Sequence, residues 1–180
     1  MKSYKAEAVI IKKQNLGEAD KILTIFSCER GKLRVLAKGV RKITSRRAGN
    51  LEVFNHVILV LTKGKNLDIV KEVSLINSFQ KWRRNLRRVG LAYYFCELVD
   101  RLTGENQEHR EVFSLLIKSL ENLQKKDLSR QTLEFERQIL TLLGFGLPVS
   151  LKAQNTSLKS YIEDLIEKKI ASPKIIKEIW

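Results

Sequence analysis

The spacing of the apolar residues changes once along the chain, and this change limits the fold more than any other feature. Up to about residue 77, short runs alternate apolar and polar residues, which is typical of β-strands. From Ser78 onward the apolar residues recur every third or fourth position, as they do on α-helices. We therefore predict an α+β chain of two domains, a β-barrel over residues 1–78 and an all-α helical domain over residues 79–180.

Five strand-like runs separated by turn signals occupy the first domain. They cover residues 4–13, 21–28, 32–38, 56–62 and 67–73. Five short strands in about 70 residues predict a small barrel, and the five-stranded OB type fits this number and length. An SH3-like barrel fits the periodicity nearly as well.

The second domain reads as a series of amphipathic helices ended by glycine or proline. The predicted helices run from Ser78 to Gly104, over 112–123, from an N-cap at Ser129 to Gly144, over 158–166, and onward from Ser172–Pro173.

The positive charge of the chain is concentrated in its first half. The net charge is +14; residues 1–88 hold 21 Lys and Arg against 7 Asp and Glu, whereas residues 89–180 hold 13 of each. Such asymmetry is typical of a protein that binds a polyanion. The N-terminus shows no signal-peptide pattern and no apolar run is long enough to span a bilayer. Cys28 and Cys96 fall within apolar patterns and are interpreted as buried reduced thiols, so we expect a cytoplasmic protein without a membrane partner.

The longest uninterrupted run of positive charge lies between Arg30 and Arg47, with eight Lys and Arg residues and no Asp or Glu. Along strand 32–38 the cations alternate with apolar residues, which predicts one cationic face and one core face. A flexible, solvated loop would explain the charge of the following residues. Phosphate binding explains it better, because strand and loop contribute together. The predicted DNA-binding residues here are Lys32, Arg34, Lys38, Arg41, Lys42, Arg46 and Arg47.

A second basic cluster lies at the predicted start of the first helix. Arg83 and Arg84 would each face another arginine, Arg87 or Arg88, one helical turn later. Like-charge pairs at this spacing cost about 0.2–0.5 kcal/mol each, which an anionic partner could offset. An incidental cluster explains the pattern equally well. We add Arg84 and Arg88 to the predicted DNA-binding residues.

Aromatic residues are scarce in the predicted barrel. The strands hold Tyr4 and Phe26, Phe54 follows the basic run, and Trp82 is interpreted as a packing residue. Proteins that bind single strands through the bases usually present exposed rings. We therefore predict salt-sensitive binding directed at the phosphate backbone.

Patterns of catalytic residues are lacking in the sequence. His56 and His109 have no partner at metal-ligand spacing, and no phosphate-binding glycine loop occurs. Glu18 and Asp20 could serve a metal-dependent nuclease, but a turn with solvated carboxylates explains them better. We predict no enzymatic activity, no catalytic residues, no metal and no cofactor.

Several stretches resemble the RecO family of bacterial DNA-repair proteins. In the first half they are "LGEADKILTIFS" (16–27), "GKLRVLAKGVRK" (31–42) and "SRRAGNLEVF" (45–54). In the second half "YYFCELVDRLT" (93–103) and "LLGFGLP" (142–148) are similar to the family's helical part. The resemblance covers residues 4 to about 151.

This resemblance implies an OB barrel followed by a helical domain, without enzymatic turnover. It implies binding of single- and double-stranded DNA, annealing of complementary strands, and cooperation with RecR. Together these proteins would help RecA replace single-strand-binding protein on DNA, in the bacterial cytoplasm at the nucleoid. The family's basic DNA-binding surface would correspond here to Arg34, Lys38, Arg41, Lys42, Arg46 and Arg47.

The sequence departs from the family pattern at one place. Many members carry a four-cysteine zinc module shortly after the stretch that corresponds to 142–148, but no cysteine follows it here. We therefore expect no zinc and a chain shorter than is usual in the family, and we assign no residues to a site for single-strand-binding protein. A basic barrel that binds RNA in the translation machinery is the alternative function.

Overall fold

The structure is a computed structural model that describes residues 3–147 and 158–172. Five strands come first: β1 (Ser3–Leu16), β2 (Asp20–Ser27), β3 (Gly31–Ala37), β4 (His56–Thr62) and β5 (Asp68–Asn77). Four helices follow in the described residues: α1 (Leu86–Leu102), α2 (Arg110–Asn122), α3 (Leu128–Leu142) and α4 (Lys159–Leu165). The predicted α+β class is confirmed.

The five strands form a closed barrel in the order β1-β2-β3-β5-β4. β1 pairs antiparallel with both β2 and β4, and β4 pairs antiparallel with β5. β3 and β5 close the barrel through a short parallel contact, Val35 with Asp68 and Leu36 with Ile69. The pairing of β1 with β4 and of β3 with β5 is that of the five-stranded OB-type barrel, so the SH3-like alternative is excluded.

The barrel core follows the period-two pattern of the strands. On β3 the side chains of Leu33, Val35 and Ala37 are buried while Arg34 is exposed, as the alternation predicts. Leu23 and Ile25 supply the core face of β2. The cationic face of β3 therefore points away from the barrel core, because neighbouring side chains on a strand lie on opposite faces.

The described residues group into two compact units, one within Met1–Phe79 and Gly104–Phe113 and one within Gln80–Thr103 and Ser114–Trp180. We call them the barrel unit and the helical unit. In the barrel unit, Phe113 packs against Phe26 with ring centroids 6.5 Å apart, and Asn106 N–H donates to the carbonyl of Lys32 at 2.9 Å. A division into independent domains 1–78 and 79–180 stays a proposal.

The first helix begins eight residues later than predicted. Phe79 has a φ of 52°, and Trp82 is buried in the helical unit with its indole N–H donating to the carbonyl of Leu120 at 2.7 Å. α1 starts only after Asn85, whose side chain accepts a hydrogen bond from the Arg88 N–H. Arg84 therefore precedes the helix, as Arg83 does, and the predicted helical pairs of arginines do not form.

The ends of α3 follow ordinary capping chemistry. Its N-cap is Asp127, which accepts from the Arg130 N–H, and the predicted N-cap at Ser129 is wrong. At the other end Gly144 adopts a φ of 78°, and the N–H groups of Gly144 and Phe145 donate to the carbonyls of Thr141 and Leu140. This is a Schellman motif, in which the glycine takes the left-handed position.

The helices of the described residues include none that is both long and apolar enough to cross a membrane. The predicted last helix from Ser172–Pro173 lies outside the described residues, apart from Ser172 itself.

Candidate nucleic-acid interface

The connection between β3 and β4 carries most of the predicted site, and its first part is fixed to the turn between β1 and β2. Gly39, with a φ of 66°, donates its N–H to a carboxylate oxygen of Asp20 at 2.7 Å. The Arg41 N–H donates to the carbonyl of Ala19 at 2.9 Å. Asp20 is thus a structural hydrogen-bond acceptor. No group of carboxylates, histidines and cysteines in the described parts of the chain could hold a metal ion.

Two arginines of the run attach this connection to neighbouring segments, because their guanidinium groups donate hydrogen bonds to main-chain carbonyls. Arg41 Nη1 donates to the carbonyl of Gly17 at 2.7 Å. Arg47 Nη1 donates to the carbonyls of Val70 at 2.9 Å and Lys71 at 3.2 Å, and its Nη2 donates to that of Lys38 at 2.8 Å. We call Arg41 and Arg47 the anchoring arginines.

Buried side chains secure the rest of the connection. Val40 and Leu51 join the barrel core, and Leu51 ends a short 3-10 helix, Gly49–Leu51. The Asn55 side-chain amide donates to the carbonyls of Gly49 and Asn50 at 3.1 and 2.9 Å. Because both ends are fixed, the basic residues lie on an ordered backbone.

Besides Arg30, which lies over the Tyr4 ring, four other cations of the run are exposed. Arg34 lies on the outward face of β3, and Lys38, Lys42 and Arg46 lie on the connection that follows it. We call these four the open cations. Their charged groups make no hydrogen bond or ion pair to any part of the chain that the structure describes. They can therefore bind an external anion without first breaking an internal contact.

The remaining predicted residues lie in other surroundings. Lys32 is half-buried at the start of β3, where its backbone pairs with that of Glu105 in an isolated parallel β-bridge. Arg84 is exposed in the turn before α1, and Arg88 is half-buried in the first turn of that helix. Both arginines belong to the helical unit, whereas the other seven predicted residues belong to the barrel unit.

The aromatic rings named in the sequence analysis are covered. Phe26, Phe54 and Trp82 are buried, and Tyr4 is half-buried with the Arg30 guanidinium 4.1 Å from its ring centroid. Burial and the hydrogen bond to the carboxylate of Asp68 raise the pKa of Tyr4 to about 12. None of these rings offers an open face for base stacking.

One exposed apolar residue of the connection was not singled out from the sequence. Ile43 is completely solvent-exposed, with a relative accessibility of 105%. Its only sequence signal is its position, an isoleucine within the polar stretch Arg41–Arg47.

The helical unit contains a cavity of about 610 Å³. Arg87 and Arg130 supply positive charge to its wall, and Leu91, Leu128 and Leu133 supply apolar surface. The arginine cluster before and within α1 therefore contributes to a concave surface as well as to exposed charge.

Comparison with known protein families gives matches to both halves of the chain. Residues 1–79 match the family model described as "Recombination protein O N terminal", and residues 83–157 match "Recombination protein O C terminal".

Individual relatives agree with these matches. The DNA repair protein RecO of Roseiflexus sp. (strain RS-1) is 42% identical over 143 residues, which cover 79% of this chain and 50% of the relative. The proteins of the same name from Pelotomaculum thermopropionicum and Symbiobacterium thermophilum are 37% and 35% identical, over 81% of this chain and 57% and 58% of their own lengths. The chain thus spans between half and three fifths of these relatives. With an OB-type barrel, a helical unit and family matches along 1–79 and 83–157, the chain belongs to the RecO family.

Proposed function

We propose that this protein is a non-enzymatic mediator of DNA repair and recombination. In this proposal it binds single- and double-stranded DNA, anneals complementary strands, and with RecR helps RecA load onto DNA covered by single-strand-binding protein. It would act in the bacterial cytoplasm at the nucleoid. The relatives named DNA repair protein RecO support the repair role, and no observation favours the RNA-binding alternative.

The observation that carries the proposal is the set of open cations on an ordered backbone. Arg34, Lys38, Lys42 and Arg46 are exposed, and no acidic residue occurs between Arg30 and Arg47. Such charges repel one another in the free protein. A nucleic-acid backbone relieves this repulsion, and binding releases the counterions condensed on the phosphates.

Annealing follows from the same electrostatics. Two single strands repel each other because each is a polyanion, and a cationic surface that binds both lowers this repulsion and raises their local concentration. Base pairing between the strands then supplies the sequence specificity. The protein needs no catalytic group for this step. The carboxylate of Asp20, which a nuclease would need for a metal, accepts a hydrogen bond from Gly39 at 2.7 Å.

The proposal is tested by replacing Arg34, Lys38, Lys42 and Arg46 together with alanine. The affinity for a single-stranded oligonucleotide is measured between low and moderate salt. If all four side chains contact phosphates, the slope of log affinity against log salt should flatten by about 3, at roughly 0.7 per contact. Strand annealing should slow in parallel.

A matched control removes four exposed lysines of the helical unit, Lys118, Lys125, Lys126 and Lys168, and so changes the net charge equally. In this control variant, the slope of log affinity against log salt should stay close to that of wild type. An equal loss in both variants would mean that only net charge matters, and an unchanged slope in the test variant would show that the open cations do not bind DNA.

A further inference from the structure

We propose that Ile43 is an apolar contact for nucleobases, inserted against or between the bases of a strand whose phosphates lie on the open cations. This inference rests on the proposed function and extends it, because phosphate contacts alone leave the bases untouched. The ligand class is the face of an unpaired nucleobase.

The backbone geometry presents Ile43 in a fully exposed turn of the connection. The Ser45 N–H donates to the carbonyl of Lys42 at 2.9 Å, which closes a four-residue β-turn. Ile43 and Thr44 are the two central residues of this turn, and Ile43 is fully exposed. The turn makes the isoleucine side chain project into solvent and leaves it without apolar neighbours.

The residues on both sides of this β-turn are held by hydrogen bonds. A preceding turn is closed by the Lys42 N–H and the carbonyl of Gly39 at 3.2 Å. The anchoring arginines hold the chain on either side, Arg41 to Gly17 and Arg47 to Val70, Lys71 and Lys38. Ile43 therefore lies in a segment with hydrogen bonds on both sides, which also carries Lys42 and Arg46, two of the open cations.

The surroundings of Ile43 favour a nucleic acid over an apolar protein surface. Its sequence neighbours are Arg41, Lys42, Thr44 and Arg46, so it stands alone among cationic and polar side chains. A partner that complements an isolated apolar side chain among cations must present negative charge on either side of an apolar surface. A DNA strand does so, with phosphates flanking the faces of its bases, and isoleucine is among the side chains that insert between base steps of duplex DNA by contact with the base faces.

The expected consequence is local unstacking of a bound strand. A side chain inserted between two bases separates them and leaves their pairing edges open to a second strand. This would add to annealing a step that charge neutralisation cannot supply.

The experiment compares the wild-type protein with Ile43→Ser, using single strands that carry one 2-aminopurine, whose fluorescence rises on unstacking. Wild type should raise the emission on binding, and the variant should raise it much less. The variant's affinity should fall about fourfold for each methylene-sized group that loses its contact. Its salt slope should stay that of wild type, because the open cations are intact. The control variant is Leu75→Ser, which removes another exposed apolar side chain, 43% accessible, from β5. This variant should keep the affinity and the emission of wild type.

A strand of equal length built from abasic units separates base contacts from phosphate contacts. On this strand wild type and Ile43→Ser should bind equally, since no base is present. If the variant matched wild type in affinity and emission on the normal strand, the inference would be wrong while the salt slope still supported the proposed function. If the affinity of wild type for the normal strand did not depend on salt, the proposed binding of phosphates by the open cations would be wrong, and the inference about Ile43 would lose its basis.

Discussion

In the barrel unit, two guanidinium groups together with the carboxylate of Asp20 fix irregular segments of the backbone, whereas in the helical unit carboxylates do so. In the barrel unit, Arg41 and Arg47 donate guanidinium hydrogen bonds to main-chain carbonyls. In the helical unit, carboxylates accept from main-chain N–H groups: Glu136 from residue 158, Glu97 from residues 171 and 172, and Glu163 from residue 170.

This difference shows that charge in the sequence has two uses. A guanidinium group can only donate hydrogen bonds and a carboxylate can only accept them, so each suits one kind of unpaired backbone group. Part of the positive charge of the barrel unit is therefore structural, and the rest, the open cations, is available for a ligand. The helical unit satisfies backbone N–H groups with acids, in keeping with the balanced charge of residues 89–180.

The largest effect should come from the buried carboxylate of the helical unit. Glu136 is fully buried and accepts from the Tyr94 hydroxyl at 2.6 Å and the Leu158 N–H at 2.8 Å. Glu136→Ala leaves both donors without their acceptor, and we expect the free energy of unfolding to fall by about 3 kcal/mol in urea titrations. Glu136→Gln keeps one acceptor oxygen and should lose less. Equal stability of the alanine variant and wild type would contradict this account.

The next largest effect should come from an anchoring arginine. Arg47→Met removes three hydrogen bonds to carbonyls on partly exposed backbone, and we expect a loss of about 1–2 kcal/mol in the free energy of unfolding. Amide exchange should also become faster in the connection between β3 and β4. If the unfolding transition did not move, the three contacts would be irrelevant to stability.

The adjacent residue provides the matched comparison. Arg46 is exposed and is one of the open cations, so Arg46→Met should leave the unfolding transition within about 0.5 kcal/mol of wild type. Its effect should appear in DNA binding, as a salt slope flattened by roughly 0.7. If Arg46→Met destabilised the protein as much as Arg47→Met does, the distinction between structural and ligand-binding arginines would be wrong.

The smallest loss of stability expected from the removal of a contact concerns Asp68, a carboxylate at the parallel closure of the barrel. Burial alone would raise the pKa of Asp68, but hydrogen bonds from the Tyr4 hydroxyl and the Lys63 ammonium group outweigh burial and lower it. A lowered folded-state pKa stabilises the protein above the unfolded value of 3.8, and this stabilisation is lost as the pH falls through the folded-state value. Asp68→Asn should therefore be less stable than wild type at neutral pH by about 1 kcal/mol or less.

Unfolding of both proteins at several pH values between neutral and about pH 3 measures this difference, which should shrink towards the acid end. A difference that grew on acidification would have the wrong sign for a lowered pKa.

Periodicity was sufficient to predict the five barrel strands, although β1 and β5 extend three and four residues beyond the predicted runs 4–13 and 67–73, but it did not predict every helix boundary. The predicted run 56–62 coincides with β4, and the core face of β3 is as expected, because burial on one side of a sheet imposes strict alternation. The start of α1 was mispredicted because Phe79 and Trp82 continue the apolar spacing of the helix while they pack from a turn.

The candidate site shows a similar limit. The sequence indicated where the cations lie, but it could not separate Arg46 from Arg47, because hydrogen bonds to main-chain carbonyls leave no residue pattern. Ile43 was missed for a related reason. A single apolar residue in a loop has meaning only once its exposure and the hydrogen bonds of its turn are known.

The discontinuity of the barrel unit has a consequence for the order in which the protein is made. Phe113 packs on Phe26, but the ribosome adds it 34 residues after Phe79, the last residue of the unit's first segment. At about 5–20 residues per second, this delay lasts roughly two to seven seconds. During that interval the nascent barrel has its strands but lacks the segment Gly104–Phe113, and the Phe26 side chain of β2 stays without its partner ring until Phe113 has been synthesised.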